Sequence, residues 1–189
     1  MKILMLGNSF TFFHKMPVIL ANLCDAEVTS NLRGGARLSE QLNPETELGA
    51  KFANLIETEK WDYVVLQEQS NAPALKKESF QSSADKLCEI IKNHGAKPVF
   101  YATWAYKKDT EMLASTGLDY ETMFKLMYES YHEAADRNGA IIADVGKAFF
   151  ELSEILNLYE PDAYHPSETG SAIAAAVLSK TILEAEQKK

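Results

Sequence analysis

Hydrophobic and polar positions along the chain form two patterns, short continuous apolar runs and longer stretches with helical spacing. Short apolar runs closed by glycine or polar residues are typical of buried strands, whereas apolar residues three and four positions apart predict a helix with one buried face. The short runs predict strands at residues 3–6, 27–32, 63–66, 98–102 and 140–145. The helical spacing predicts helices at residues 15–24, 46–58, 79–92, 120–137 and 167–185.

The alternation of these strands and helices favours a parallel sheet, because parallel strands need crossover connections that are usually helical. Four of the five predicted strands are apolar at most positions, as expected where helices cover both faces of a sheet, and the exception is the strand at residues 27–32. Right-handed crossovers then lead to an α/β fold, a three-layer α/β/α sandwich with a five-stranded parallel sheet of flavodoxin-like topology. A chain of 189 residues fits one hydrophobic core, so we expect a single domain over residues 1–189.

Composition and charge restrict the class of partner. The chain is 46% hydrophobic and 24% charged, which is ordinary for a globular protein, and its net charge of -8 argues against nucleic acid or an anionic membrane. The N-terminal apolar run is too short for a signal peptide, and no run has the roughly 18 apolar residues of a membrane helix. We therefore expect a cytoplasmic protein without a membrane span, and the sequence leaves its oligomeric state open.

The two cysteines, Cys24 and Cys88, each lie within an apolar helical pattern. This placement favours buried free thiols over a disulfide or a metal site. No spacing of cysteine and histidine resembles a zinc motif, so we expect neither a metal nor an organic cofactor.

Small and polar residues follow the predicted strands at the sheet edge where such folds bind ligands. They are Ser9 after the first strand, Gly34 and Gly35 after the second, Gln67, Gln69 and Asn71 after the third, and Asp162 and His165 before the last helix. Each residue alone has a simple structural explanation as a turn, a cap or an ion pair. Their joint placement predicts a site, because independent turn residues have no reason to bring a hydroxyl, a carboxylate and an imidazole to one edge.

These residue types suit nucleophilic catalysis. A serine hydroxyl needs an adjacent base to become a nucleophile, and His165 can take its proton. Asp162, three residues earlier, can orient the imidazole and stabilise its protonated form. The chain has no Gly-x-Ser-x-Gly elbow, which argues against an α/β-hydrolase.

Two segments resemble conserved blocks of the SGNH/GDSL hydrolases. Residues 7–11, Gly-Asn-Ser-Phe-Thr, resemble the first block, which usually reads Gly-Asp-Ser, and residues 162–166, Asp-Ala-Tyr-His-Pro, resemble the last block, Asp-x-x-His-Pro. The resemblance covers nearly the whole chain. Within the family, the chain is similar to a less characterised bacterial branch. The resemblance implies a serine esterase of flavodoxin-like fold with Ser9 as nucleophile, His165 as base and Asp162 as orienting carboxylate.

The resemblance also implies an oxyanion hole made of the Ser9 N–H, a glycine after the second strand and an asparagine after the third. Gly35 fits the glycine, with Gly34 as its rival. The third block departs from the family pattern, because residues 67–71 read Gln-Glu-Gln-Ser-Asn and lack its glycine. Alignment from the strand start favours Asn71 as the amide donor, with Gln67 and Gln69, which lie closer to the strand end, as its rivals.

Aromatic residues beside these segments predict the wall of a substrate pocket. We expect Phe10, Trp104 and Tyr106 to contribute to it. The connection at residues 104–119 is long, and long loops at this edge are often lids or specificity elements. His14 follows Ser9 within an aromatic run, where a packed or solvent-bonded histidine is favoured over a pocket residue.

The expected function is hydrolysis of a small-molecule ester through an acyl-enzyme. A short acyl group such as acetate, carried by a carbohydrate or another small alcohol, is the expected substrate. A lysophospholipase or thioesterase is the enzymatic alternative, which a long apolar groove beside Ser9 would favour. A catalytically silent module that binds a glycan or a nucleotide at the same edge is the alternative from another class.

Overall fold

The structure is a computed structural model that describes residues 1–188, and its centre is a five-stranded parallel sheet. The strands are β1 (Lys2–Gly7), β2 (Glu27–Leu32), β3 (Tyr63–Leu66), β4 (Lys97–Tyr101) and β5 (Ile141–Ala143). They lie in the order β2-β1-β3-β4-β5, and every neighbouring pair is parallel. The chain therefore leaves β1 in one direction and returns to its other side at β3, as in flavodoxin-like folds.

Helices cover both faces of this sheet. They are α1 (Ser9–Phe12), α2 (Met16–Cys24), α3 (Leu38–Gln41), α4 (Glu47–Thr58), α5 (Ala72–Leu75), α6 (Lys77–Asn93), α7 (Glu111–Ala114), α8 (Tyr120–Asn138), α9 (Val145–Leu152) and α10 (Glu168–Glu186). Helix α2 packs against α10, and α6 packs against α8. The predicted three-layer α/β/α sandwich is confirmed. Among the described helices, none has the length and apolar composition that a membrane crossing needs.

One predicted strand is wrong at its C-terminal end. The apolar run at residues 140–145 predicted a single strand, but β5 ends at Ala143 and Val145 begins α9. Val145 and Phe149 are both buried and lie four residues apart, so this run combines a short strand with the first turn of a helix. Gly146 permits the close packing of α9, because a Cβ there would lie 2.2 Å from the Thr103 carbonyl oxygen.

Ser167 caps the start of α10. The Ser167 hydroxyl oxygen accepts a hydrogen bond from the Gly170 N–H at 3.1 Å, which satisfies a backbone donor in the first helical turn. The hydroxyl itself donates to the Asn157 carbonyl at 2.7 Å. These bonds anchor the segment that precedes α10, which carries Asp162 and His165.

Candidate active site

The turn after β1 depends on a buried glutamine. The Gln67 Oε1 accepts hydrogen bonds from the Asn8 N–H and the Thr11 hydroxyl, both at 2.9 Å. Gly7 makes room for this side chain, since a Cβ at that position would lie 2.6 Å from the same oxygen. Gln67 is fully buried, so it joins the end of β3 to the turn that leads into α1.

Asn8 places Ser9 at the first position of α1. Its side-chain oxygen accepts from the Phe10 N–H at 3.1 Å, and its side-chain amide donates to the Ala36 carbonyl at 3.0 Å. The first bond caps the helix, and the second holds the loop that carries the glycines after β2. The Ser9 N–H lies in the first turn of α1, where backbone N–H groups have no acceptor within the helix.

The loop with Asp162 and His165 is closed by main-chain contacts. Tyr159 and Pro166 form an isolated antiparallel bridge, and the Glu160 N–H donates to the His165 carbonyl at 2.9 Å. Ala163 has a φ of 69°, a left-handed conformation that is uncommon for a residue with a side chain. Its N–H donates to the Glu160 carbonyl at 2.9 Å, which helps to hold this tight turn.

Ser9, His165 and Asp162 form one hydrogen-bonded chain. The His165 Nε2 lies 2.7 Å from the Ser9 Oγ, and the His165 Nδ1 lies 2.7 Å from the Asp162 Oδ2. The other carboxylate oxygen accepts the N–H groups of His165 at 3.0 Å and of Tyr164 at 3.2 Å. When the imidazole carries its proton on Nδ1 and donates that N–H as a hydrogen bond to the carboxylate, Nε2 is free to accept the serine proton. The structure thus brings together the three residues predicted as a triad.

The surroundings of Asp162 favour its charged form. Partial burial raises the pKa of this carboxyl, but hydrogen bonds from the His165 side chain and from the two backbone N–H groups outweigh that effect. The net result is a pKa below the ordinary value for aspartate. An ionised carboxylate is the form that can orient a neutral imidazole and stabilise a protonated one.

The rings of Phe10, Trp104 and Phe149 form a stack next to the segment that carries Ser9. Phe10 stacks on Trp104 at a centroid distance of 4.7 Å, and Trp104 stacks on Phe149 at 3.9 Å. The Trp104 Nε1 donates to the Tyr164 carbonyl at 3.0 Å, so the indole also supports the loop that carries His165. The prediction that Trp104 lines the substrate pocket is wrong. Its side chain is 0% exposed and packs behind the residues that line the cavity.

Tyr106 also lies behind the pocket, in contrast to its prediction as part of the wall. Its side chain is buried, and its hydroxyl lies 2.8 Å from the Ser70 Oγ. Ser70 in turn accepts a hydrogen bond from the Gln69 side-chain amide at 2.9 Å. Tyr106 therefore supports the third block from beneath.

An open cavity of about 370 Å³ lies beside the Ser9 hydroxyl. The residues that line it are Asn8, Ser9, Phe10, Phe13, Gly34, Gly35, Gln69, Ser70, Tyr164 and His165. Phe10 is the predicted wall residue that faces this cavity. Phe13, Ser70 and Tyr164 were not predicted, although Tyr164 lies within the Asp-x-x-His segment and Phe13 within the aromatic run after Ser9.

Some of the residues predicted to form an oxyanion hole line the cavity, and others do not. Gly34 and Gly35 both line it, and Gly35 has a φ of 68°, a conformation that glycine adopts without strain. Gln69 lines it from the third block, whereas the Gln67 side chain is buried in the turn below. Asn71 lies farther along the chain, at the N-cap of α5.

A buried carboxyl links two of the loops around the cavity. The Glu68 Oε1 accepts hydrogen bonds from the Gln69 N–H at 2.6 Å and from the Leu38 N–H at 3.4 Å. Glu68 is buried, with 3% of its surface exposed. Burial raises the pKa of Glu68 to about 7, against the lowering effects of both N–H groups and of the Arg37 charge. The sequence pattern did not single out this residue.

This raised pKa predicts a specific dependence of stability on pH. The folded protein keeps the Glu68 proton up to about pH 7, whereas the unfolded chain releases it near 4.5, so this group lowers stability as pH rises between these values. Glu68→Gln should remove that contribution. We expect the free energy of unfolding of the variant, relative to wild type, to rise by roughly 2 kcal/mol from about pH 5 to about pH 8. Urea denaturation of both proteins measures it, and a constant difference would contradict the assigned pKa.

The described part of the chain offers no obvious set of side-chain ligands for a metal ion. Residues 1–188 contain no group of three or more histidine, cysteine, aspartate or glutamate side chains that could hold a metal ion. Cys24 and Cys88 are buried free thiols on separate helices, as the sequence predicted.

Comparisons with known proteins agree with this fold. No protein-family model and no curated protein matches the chain. Among solved structures, the chain is similar to a protein from Slackia heliotrinireducens assigned to the SGNH hydrolases, with 43% identity over 96% of this chain and 98% of that chain and a TM-score of 0.92. It shares the fold of an acetylxylan esterase from Geobacillus stearothermophilus, with 16% identity over 96% and 93% of the two chains and a TM-score of 0.73. A DUF4886 family protein from Bacteroides uniformis has 19% identity over 96% and 82% of the chains and a TM-score of 0.72.

Proposed function

Because the chain belongs to the SGNH hydrolase family, we propose that it is a serine esterase that transfers an acyl group to water through an acyl-enzyme on Ser9. The hydrogen-bonded chain from Ser9 through His165 to Asp162 is the observation that supports this proposal most strongly. This geometry provides a nucleophile, a base within hydrogen-bond reach and a group that orients the base.

The proposed reaction has two halves. In the first, His165 takes the Ser9 proton while the Ser9 Oγ attacks the ester carbonyl, and the resulting imidazolium returns a proton to the leaving alcohol as the carbon–oxygen bond breaks. In the second, His165 takes a proton from water as the water oxygen attacks the acyl-enzyme, and the imidazolium returns that proton to the Ser9 Oγ as the acyl–oxygen bond breaks and the acid leaves. Asp162 keeps its negative charge throughout and stabilises the imidazolium in both halves.

The oxyanion hole in this proposal consists of the Ser9 N–H, the Gly35 N–H and the Gln69 side-chain amide. Such donors stabilise the negative charge that develops on the carbonyl oxygen. The position of Gln69 on the cavity wall favours it over Asn71. Gln67 is disfavoured because its side chain is buried in the turn below the cavity, where its oxygen accepts two hydrogen bonds. One N–H of the Gln69 amide donates to the Ser70 Oγ, and its second N–H is the proposed donor to the oxyanion.

The proposed substrate is an uncharged small alcohol that carries a short acyl group such as acetate. A cavity of about 370 Å³ suits a small acyl group. His165 is the one lining residue with an ionisable nitrogen, and no aspartate, glutamate, lysine or arginine lines the cavity. A shared fold with an acetylxylan esterase supports a carbohydrate acetate in particular.

Turnover of a series of p-nitrophenyl esters tests this function. We expect kcat/KM to be highest for acetate and to fall through butyrate and octanoate to palmitate, with all turnover lost in Ser9→Ala. A preference for palmitate would instead indicate a lysophospholipase or thioesterase. A folded wild-type protein without turnover of any of these esters would indicate a binding module.

A further inference from the structure

A short aromatic segment between α1 and α2 covers one face of His165. The Phe13 ring stacks on the imidazole with a centroid distance of 4.2 Å and an interplanar angle of 3°. A flat stack of this kind restricts rotation of the imidazole out of the line between Ser9 and Asp162.

The backbone that presents Phe13 is in an unfavourable conformation. His14 and Lys15, the next two residues, have φ values of 49° and 56°. Residues with a Cβ rarely adopt this left-handed conformation, and two in succession are disfavoured further. The conformation therefore needs contacts from elsewhere in the structure to hold it.

One side-chain pair supplies such a contact. The His14 Nε2 lies 2.6 Å from the Glu160 Oε1, and the two side chains are 31% and 29% exposed. Glu160 belongs to the loop of the catalytic imidazole, because its backbone N–H donates to the His165 carbonyl at 2.9 Å. The pair thus joins the segment that carries Phe13 directly to the loop that carries His165.

From this geometry we propose that His14 and Glu160 are positioning residues for catalysis, whose pair holds the Phe13 ring flat on the His165 imidazole. The inference rests on the proposed function, since the imidazole acts as base only if Ser9 is the nucleophile. Neither His14 nor Glu160 touches the reacting atoms. Their effect passes through Phe13, and this separates the proposal from a general role of the pair in stability.

Single substitutions test whether the pair affects turnover. We expect Glu160→Ala and His14→Ala to lower kcat for p-nitrophenyl acetate about tenfold, with KM changed less than about twofold, because the misplaced imidazole affects the transition state more than binding. His14→Gln keeps an N–H donor that can reach Glu160, so it should recover most of the lost kcat. Active sites are counted with a fluorophosphonate so that kcat refers to folded, competent protein.

A similar pair elsewhere on the surface provides the matched control. The His94 Nε2 lies 3.1 Å from the Glu57 Oε1, and this pair joins α4 to the end of α6, away from the cavity. Glu57→Ala should leave kcat and KM at wild-type values. A similar loss of kcat in this variant would show that any broken pair of this kind lowers activity, and would overturn the proposal.

A double substitution separates positioning through Phe13 from a structural role. If the pair acts through Phe13, then Glu160→Ala lowers kcat in the wild-type background but not in a Phe13→Leu background. Phe13→Met replaces Phe13→Leu if the latter does not fold. An equal loss in both backgrounds, or an unchanged kcat in Glu160→Ala itself, overturns the proposal. Wild-type turnover of the ester is the reference, so its absence would be a failure of the proposed function and is distinguished from these outcomes.

Discussion

We expect Asp162→Asn to lower kcat for p-nitrophenyl acetate by roughly 10⁴-fold while the protein remains folded. An asparagine amide can present an N–H to the His165 Nδ1, which then accepts and leaves the imidazole proton on Nε2. In that tautomer Nε2 faces the Ser9 hydroxyl as a donor and cannot take its proton. The present distances of 2.7 Å on each side of the imidazole mean that this effect needs no movement of the ring.

A second histidine–aspartate pair serves as the control for this prediction. The His132 Nε2 lies 2.8 Å from the Asp144 Oδ1, at the end of β5 and outside the cavity lining. Asp144→Asn makes the same chemical change there, and we expect kcat within about twofold of wild type. Equal activity of Asp162→Asn and Asp144→Asn would mean that Asp162 does not orient the base.

We expect Gln69→Ala to lower kcat by roughly 10²-fold and Asn71→Ala to have little effect. Gln69 lines the cavity, and in the proposed site the loss of its amide takes away a donor for the charge that develops on the carbonyl oxygen. KM should change little, because this hydrogen bond becomes strong only in the transition state. Steady-state kinetics of the two variants with one ester measures both quantities.

The opposite result has a clear meaning for the third block. A large loss of kcat in Asn71→Ala with normal kcat in Gln69→Ala would show that the asparagine of the usual family position turns into the site during catalysis. Gln69→Glu is a useful companion, since it keeps the size of the side chain but replaces a donor by an acceptor of negative charge. We expect its kcat to be at or below that of Gln69→Ala.

Much of the fold was predictable because burial imposes a local pattern on the sequence. A strand that helices cover on both faces must be apolar at most positions, and β3, Tyr63–Leu66, is buried at all four. The chain gives no comparable local signal where an apolar run crosses an element boundary. Val145 continues the run of β5 in sequence but starts α9, and the close approach of Gly146 to the Thr103 carbonyl is a tertiary contact that the apolar run does not reveal.

The site was predictable in part for a similar reason. Residues at the carboxyl ends of parallel strands meet at one edge, so Ser9, Gly35 and Gln69 could be expected near one another. Whether a side chain faces the cavity or the layer behind it depends on tertiary packing. Trp104 follows β4 at the correct edge, but Phe10 and Phe149 cover its two faces and exclude it from the cavity.

Contacts between distant residues left no signal in the sequence pattern. His14 and Glu160 are separated by 146 positions, and a histidine in an aromatic run was expected to be packed or solvent-bonded. Glu68 follows a buried strand among other polar residues, so nothing in its neighbourhood indicates that its carboxyl turns inward to bind the Leu38 and Gln69 N–H groups. Such contacts depend on which loops the fold brings together.

Labelling with a fluorophosphonate, followed by mass mapping of the modified peptide, tests the central claim most directly. A serine reacts with this reagent only when a neighbouring base activates it and donors stabilise the developing charge on the phosphonyl oxygen. We predict one label per chain on Ser9, no label in Ser9→Ala, and a strongly reduced rate in Asp162→Asn. Absence of labelling in folded wild-type protein, or a label on any residue other than Ser9, would contradict the account.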